Sequence, residues 1–193
     1  QAAPTATPVP PTLTPVPPTP TATQVPPSPD PTSSSTDYFQ KGNRYFDQGD
    51  YQKAIEQYDE AIRLDPQYAM AYYNRGLSYA HLGQYEQAIQ DYDEAIRLDP
   101  QNAGAYHNRG VAYARLGQYE QAIQDFGEAI RLNPQRAKAY INRGLAYGNL
   151  GQYERAIQDF SEAMRLDPQD AEAYYRRGVA YGSLFQYALA IQD

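Results

Sequence analysis

The 193-residue chain contains no cysteine and no tryptophan. Without a thiol there is no disulfide framework, no thiolate metal site and no cysteine nucleophile. No run approaches the roughly 18 apolar residues of a bilayer-spanning helix, so direct membrane insertion is not expected. Basic clusters are missing as well: 16 Lys and Arg against 23 Asp and Glu leave a formal charge of −7. That balance argues against a nucleic acid as partner. There is no N-x-S/T sequon, and no glycine-rich phosphate loop or Ser/His/Asp set stands out.

What is present divides the chain in two. Twelve of the 16 prolines fall in residues 1–31 and all nine threonines lie between Thr5 and Thr36, whereas all 20 tyrosines lie between Tyr38 and Tyr187. Residues 1–36 therefore read as a Pro/Thr/Ser-rich arm. Each proline removes a backbone donor and fixes φ, and the residue before it is pushed to extended values. The expectation is a polyproline-II-like rod reaching about 110 Å at about 3.1 Å per residue.

Thr and Ser dispersed among Pro is the composition of O-glycosylated stalks. The candidate hydroxyls are those of Thr5, Thr7, Thr12, Thr14, Thr19, Thr21, Thr23, Ser28, Thr32, Ser33, Ser34, Ser35 and Thr36. A plain linker is the competing reading. The chain begins at Gln1 with no basic start and no apolar stretch after it, which fits a removed signal peptide or a fragment. A secreted or cell-surface location is the expectation. An N-terminal lipid anchor on cysteine has no residue to carry it.

The remaining prolines, Pro66, Pro100, Pro134 and Pro168, recur every 34 residues. They divide residues 37–193 into repeats starting at Ser35, Ala69, Ala103 and Ala137, with a partial fifth from Ala171. Position 4 is Tyr38, Tyr72, Tyr106, Tyr140 and Tyr174; position 8 is Gly42, Gly76, Gly110, Gly144 and Gly178. Ala54, Ala88, Ala122, Ala156 and Ala190 share position 20, and Tyr58, Tyr92, Phe126 and Phe160 share position 24. Three-to-four spacing of the apolar residues predicts two helices per repeat, each about 20 Å long, the first ending at Gly and the second at Pro. Small residues at 8, 20 and 27 would let the two backbones approach, with rings at 4, 11 and 24 filling the space beside them.

This pattern resembles the tetratricopeptide repeat, which carries an aromatic at 4, Gly at 8, Tyr at 11, Ala at 20, an aromatic at 24, Ala at 27 and Pro at 32. The resemblance implies an all-α, right-handed solenoid of helix-turn-helix units. Two departures stand out. Tyr replaces the family's Trp, and position 7 holds Lys41, Arg75, Arg109, Arg143 and Arg177 in place of Leu. The second suggests a charged edge, the stem packed and the guanidinium in solvent.

By the same resemblance, the first helices line a concave face that receives another polypeptide. Position 6 there is Asn74, Asn108, Asn142 and Arg176, a ladder able to hold an extended backbone because each carboxamide is donor and acceptor. Position 5, occupied by Tyr73, His107, Ile141 and Tyr175, would supply the variable contacts. The competing reading is that Asn at 6 only keeps an exposed face soluble. The family's carboxylate clamp is incomplete: Asn43 and Asn74 fit it, but Phe39, Gly104 and Asn108 stand where Lys, Lys and Arg are required. His81 and His107 sit at different repeat positions, about 12 Å apart along the helix axes, too far for a shared metal. No catalysis, cofactor or metal is expected.

The fifth repeat turns more apolar: Phe185 replaces the Gly at position 15, and Tyr187, Leu189 and Ile191 follow in a nearly unbroken apolar run. Paired with Tyr38 and Phe39 at the other end, these residues suggest end-to-end stacking of identical copies, which yields a filament when the contact does not close. The partner expected is thus protein, either self or, in the alternative of a monomeric tethered adaptor, an extended peptide. A third reading is that the chain continues beyond Asp193.

Overall fold

The computed structural model describes residues 34–185 and 187–190, the side chains of 187 and 188 excepted. These residues form paired helices: α1 (Ser35–Asp47) with α2 (Tyr51–Leu64), α3 (Ala69–His81) with α4 (Tyr85–Leu98), and α5 (Ala103–Arg115) with α6 (Tyr119–Leu132). They are followed by α7 (Ala137–Asn149) with α8 (Tyr153–Leu166), and α9 (Ala171–Ser183) with the four-residue α10 (Tyr187–Ala190). No strand occurs among the described residues. Each helix packs on its neighbours in sequence, and each first helix also touches the first helix of the next repeat. The all-α helical solenoid implied by the tetratricopeptide resemblance is the fold found.

The repeat's turns follow from single residues. Gly49, Gly83, Gly117 and Gly151 take φ between 71 and 78°, where a side chain is strained. With that turn made, the amides of Asp50, Gln84, Gln118 and Gln152 each return 2.9 Å to the carbonyl of the position-11 tyrosine and close the first helix. Phe185 occupies the same left-handed corner at φ 58° without glycine's freedom. Past each second helix, the side chain of Asp65, Asp99, Asn133 or Asp167 accepts from the amide two residues on, bracketing the proline in an Asx turn.

The core is a column of small residues and single rings. Ala54, Ala88, Ala122 and Ala156 at position 20 are fully buried, as are Ala61, Ala95, Ala129 and Ala163 at position 27. The position-24 rings Tyr58, Tyr92, Phe126 and Phe160 are at most 3% exposed, each contributing about 2–3 kcal/mol of hydrophobic stabilisation. They lie against bare glycine backbone: a Cβ on Gly42, Gly76, Gly110 or Gly144 would come within 2.5 to 2.9 Å of the ring. The alanines at position 3, Ala71, Ala105, Ala139 and Ala173, are also fully buried, a column not singled out from the sequence.

Two expectations need correction. Helix α1 starts at Ser35, and Ser34 is its N-cap: the Ser34 hydroxyl accepts from the Asp37 amide at 3.2 Å while the Asp37 carboxylate accepts from the Ser34 amide at 2.9 Å. Ser34, Ser35 and Thr36 thus belong to a helix terminus and not to an extended arm. The candidate hydroxyls from Thr5 to Ser33 lie outside the described residues.

The second correction concerns position 7. In repeats two to four its guanidinium does not end in solvent; it grips an aspartate at position 23 of the same repeat. Arg75, Arg109 and Arg143 hold Asp91, Asp125 and Asp159 in bidentate pairs with distances of 2.6 to 2.8 Å. Arg75 and Arg109 reach on to Asp59 and Asp93 of the preceding repeat. Burial opposes their charge, but the carboxylates outweigh it and hold both guanidinium groups above their ordinary range. The position-4 ring, Tyr72, Tyr106 or Tyr140, covers the guanidinium from 5.5 to 5.7 Å.

Candidate partner-binding groove

The first helices expose one face along the array, and a notch opens at each junction between repeats. The notch between repeats two and three is lined by Leu77, Ala80 and His81, then Tyr85 and Tyr92 of α4, with Asn108, Val111 and Arg115 opposite. One repeat on, Val111, Ala114, Arg115, Tyr119 and Phe126 take the equivalent places, facing Lys138, Asn142, Leu145 and Asn149, with Glu172 and Arg176 of α9 at the far side. A third notch repeats the arrangement around Leu145, Gly148, Asn149, Tyr153 and Phe160. The groove is therefore periodic, with an aliphatic floor at position 9, small residues at 12 and polar edges at 6 and 13. Residues at 9, 13 and 17 carry most of it. The tyrosines at 17 come from the second helices and had no sequence signal beyond their periodicity.

The expected ladder at position 6 is stitched to its own scaffold. The Asn74 amide donates to Asn43 Oδ1 at 2.8 Å, and Tyr58 donates to the same oxygen. Asn108 donates to the Tyr73 hydroxyl at 2.9 Å, and Asn142 lies 3.4 Å from His107 Nε2. Each carboxamide spends one donor on the previous repeat and retains its acceptor for a ligand.

Position 5 corrects the sequence reading. His107 and Ile141 are buried and Tyr73 is half-buried; Tyr175 alone of the four is largely exposed. Ile141 sits in the apolar cluster with Ala156, Phe160 and Ala173. In the interior repeats this position packs against the position-24 ring of its own repeat: Tyr73 on Tyr92 with centroids 6.1 Å apart, His107 on Phe126 at 5.5 Å, and Ile141 in the cluster of Phe160. Burial, aided by Arg136 and Lys138, depresses the His107 pKa to about 4, so the ring is neutral at pH 7.

Unpartnered polar atoms mark the groove. Tyr58 finds Asn43 at position 9, but the equivalent partner of Tyr92 is Leu77, and the Tyr92 hydroxyl has none among the described residues. His107 Nδ1 and Arg176 Nε are buried without partners as well. Arg176 itself lies 3.5 Å from Glu172 and 5.7 Å from the Tyr175 ring.

The proposed end residues divide. Phe39 is half-buried against Tyr58 and Tyr68, with centroids 5.8 and 4.8 Å away, and Tyr38 is half-buried. Phe185 is 79% and Leu189 41% exposed, beside exposed Tyr175 and Val179. The Tyr187 side chain and Ile191 lie outside the described residues. His81 stacks on Tyr51 at 4.5 Å, remote from His107, and no group of His, Asp or Glu among the described residues could hold a metal ion. No described helix is long and apolar enough to cross a membrane.

Family models for the tetratricopeptide repeat match residues 39–103, 103–136, 137–170 and 171–193. No curated protein matches the chain. Among solved structures, the chain is similar to MamA protein at 28% identity and a TM-score of 0.79, over 82% of this chain and 86% of that one. It is similar to YrrB, described as a TPR protein with an unusual peptide-binding site, at 26% identity and a TM-score of 0.74, over 82% of each chain. The first TPR of Spaghetti (RPAP3), solved bound to the HSP90 peptide SRMEEVD, matches at 32% identity and a TM-score of 0.60, over 63% of this chain and 96% of that chain.

Proposed function

The chain belongs to the tetratricopeptide-repeat family, and from that premise we propose that it is a non-catalytic scaffold that takes an extended peptide of a partner protein along its first-helix groove. The carrying observation is the periodic row of notches, each with an aliphatic floor and a carboxamide whose oxygen stays unused. An extended chain repeats its backbone donors at a spacing such a row can follow. Two of the similar structures are described with bound peptide or a peptide-binding site, which supports the reading. A peptide array probed with the full chain tests it. Replacing Leu77 and Leu145 together by Asn should abolish capture, while Arg131→Ala on the outer face should not. Capture that survives the double groove variant would sink the proposal.

Exposed Tyr175, Val179, Phe185 and Leu189 favour a second reading, end-to-end stacking of copies into a filament. Sedimentation across a concentration series decides it, and a concentration-independent monomer rules it out. Placement at the cell surface and sugar on the arm rest on composition alone; intact mass against 21.7 kDa reads the second directly.

A further inference from the structure

Arg115, Lys138 and Arg176 come from three successive repeats, at positions 13, 2 and 6, and line one notch. One carboxylate shares it: Glu172, 3.1 Å from Lys138 and 3.5 Å from Arg176. The arginines at position 29 of the second helices are different, since Arg63, Arg97, Arg131 and Arg165 are each neutralised by a glutamate three residues earlier. Arg115 has no ion partner among the described residues. A chain of net charge −7 thus gathers three cations against one carboxylate at a single place. In the wall, burial chiefly, and then Arg136 and Lys138, disfavour a proton on His107.

The second observation is unmet polar capacity in the same wall. The Asn142 amide lies 3.4 Å from Nε2 of His107, and the other ring nitrogen, Nδ1, has no partner among the described residues although the residue is only 5% exposed. Arg176 Nε is a buried donor without an acceptor. Leaving such groups unmet costs stability, so the notch favours a ligand that brings acceptors and negative charge together.

We propose that this notch receives a side-chain carboxylate of the bound peptide, held between Arg115, Lys138 and Arg176, so that the groove selects extended segments with an acidic residue. The inference rests on the groove reading above and adds the chemistry of its preferred partner. Lys138 and Arg176 stand at repeat positions 2 and 6, which the family's carboxylate clamp also uses, but here they come from two different repeats and act with Arg115, while the clamp's own lysines are absent at Phe39 and Gly104. It also asks for an internal acidic residue and not a free C-terminus.

Fluorescence anisotropy with the full chain and two labelled, end-capped nonapeptides tests this, one alternating alanine with glutamate and one alanine with glutamine. The glutamate peptide should bind about tenfold tighter, a margin that shrinks as salt screens the charges. Arg115→Ala combined with Lys138→Ala should erase the difference, while Arg131→Ala should keep it, with helicity by circular dichroism unchanged in both. Equal binding of the two peptides, lost in the Leu77→Asn and Leu145→Asn double variant, would overturn the acidic preference and leave the groove reading intact. If neither peptide binds, both readings fall. Equal competition by oligothymidylate would overturn the peptide assignment, since the notch would then be a general anion site.

Discussion

Arg109 holds Asp125 through two parallel hydrogen bonds, Nε to Oδ2 at 2.8 Å and Nη2 to Oδ1 at 2.6 Å. Its third nitrogen crosses to Asp93 of the preceding repeat at 2.6 Å. One side chain thus ties the two helices of its own repeat and binds that repeat to its neighbour. Arg109→Met leaves Asp125 buried without a counter-ion and should cost about 3 kcal/mol in denaturant unfolding. Arg109→Lys should recover little, because an ammonium cannot reproduce the planar fork. Combining Arg109→Met with Asp125→Leu should restore most of the loss. A harmless Arg109→Lys would show that the forked geometry is unimportant.

The same chemical change at two glycines should act with opposite sign. A Cβ on Gly76 would lie 2.8 Å from Tyr92 Cε1 and 3.2 Å from Asp91 Cβ, so Gly76→Ala forces the ring and costs about 2 kcal/mol. Gly148 lies within α7 with nothing within 4 Å of the corresponding point. Gly148→Ala should therefore stabilise by roughly 1 kcal/mol through helix propensity. Thermal midpoints of both variants against the parent check the pair.

Stability should fall on mild acidification through His107. The ring's pKa drops from 6.5 to about 4 on folding, so the unfolded chain takes up a proton that the folded chain refuses. The contribution is intact above pH 6.5, declines as pH falls toward 4 and then levels off, a total of about 3 kcal/mol. His107→Tyr removes the titration and reproduces the pairing that Tyr73 makes with Asn108. Urea midpoints between pH 7 and 4 should therefore be flatter for the variant. An equal slope in both proteins would reject the assignment.

Gly127→Asp should stabilise the array. Position 25 is Asp59 and Asp93 in repeats one and two, where each accepts from the next arginine, but Gly127 stands there in repeat three. Arg143 Nη1 lies 3.8 Å from where a Cβ on Gly127 would be. An aspartate there supplies the missing carboxylate and removes a glycine from mid-helix, together about 1 kcal/mol. Its midpoint shift should shrink when Arg143 is replaced by Met.

The helices, their ends and the buried rings were legible because each rests on a local rule repeated at least four times: glycine for a positive φ, proline for a stop, small residues where backbones meet. The arginines at position 7 were not. Reading their fate required pairing position 7 with position 23, sixteen residues away on the other helix, and a one-dimensional pattern does not say which face each presents. Position 5 failed for a related reason. Ile141 is next to the groove-edge Asn142 in sequence but turned about 100° around the helix, enough to place it in the core, while His107, only 5% exposed, keeps a place in the notch wall. Ser34 was misassigned because its hydroxyl suits both a stalk and an N-cap, and the Asp37 three residues later was the signal that decided for the cap.

The polar ties between neighbouring repeats are uneven, and that gives the array a mechanical profile. Arg75 with Asp59 and Arg109 with Asp93 brace the first two joints, and Lys138 with Glu172 spans the fourth. The third joint, where Gly127 sits, is crossed by no ion pair among the described residues, and its Asn142–His107 contact is long at 3.4 Å. Because each repeat leans only on its neighbours, elastic strain collects at the joint with the weakest coupling. Bending and twisting should therefore concentrate between repeats three and four, the junction that also holds Arg115 and Lys138 on opposite banks.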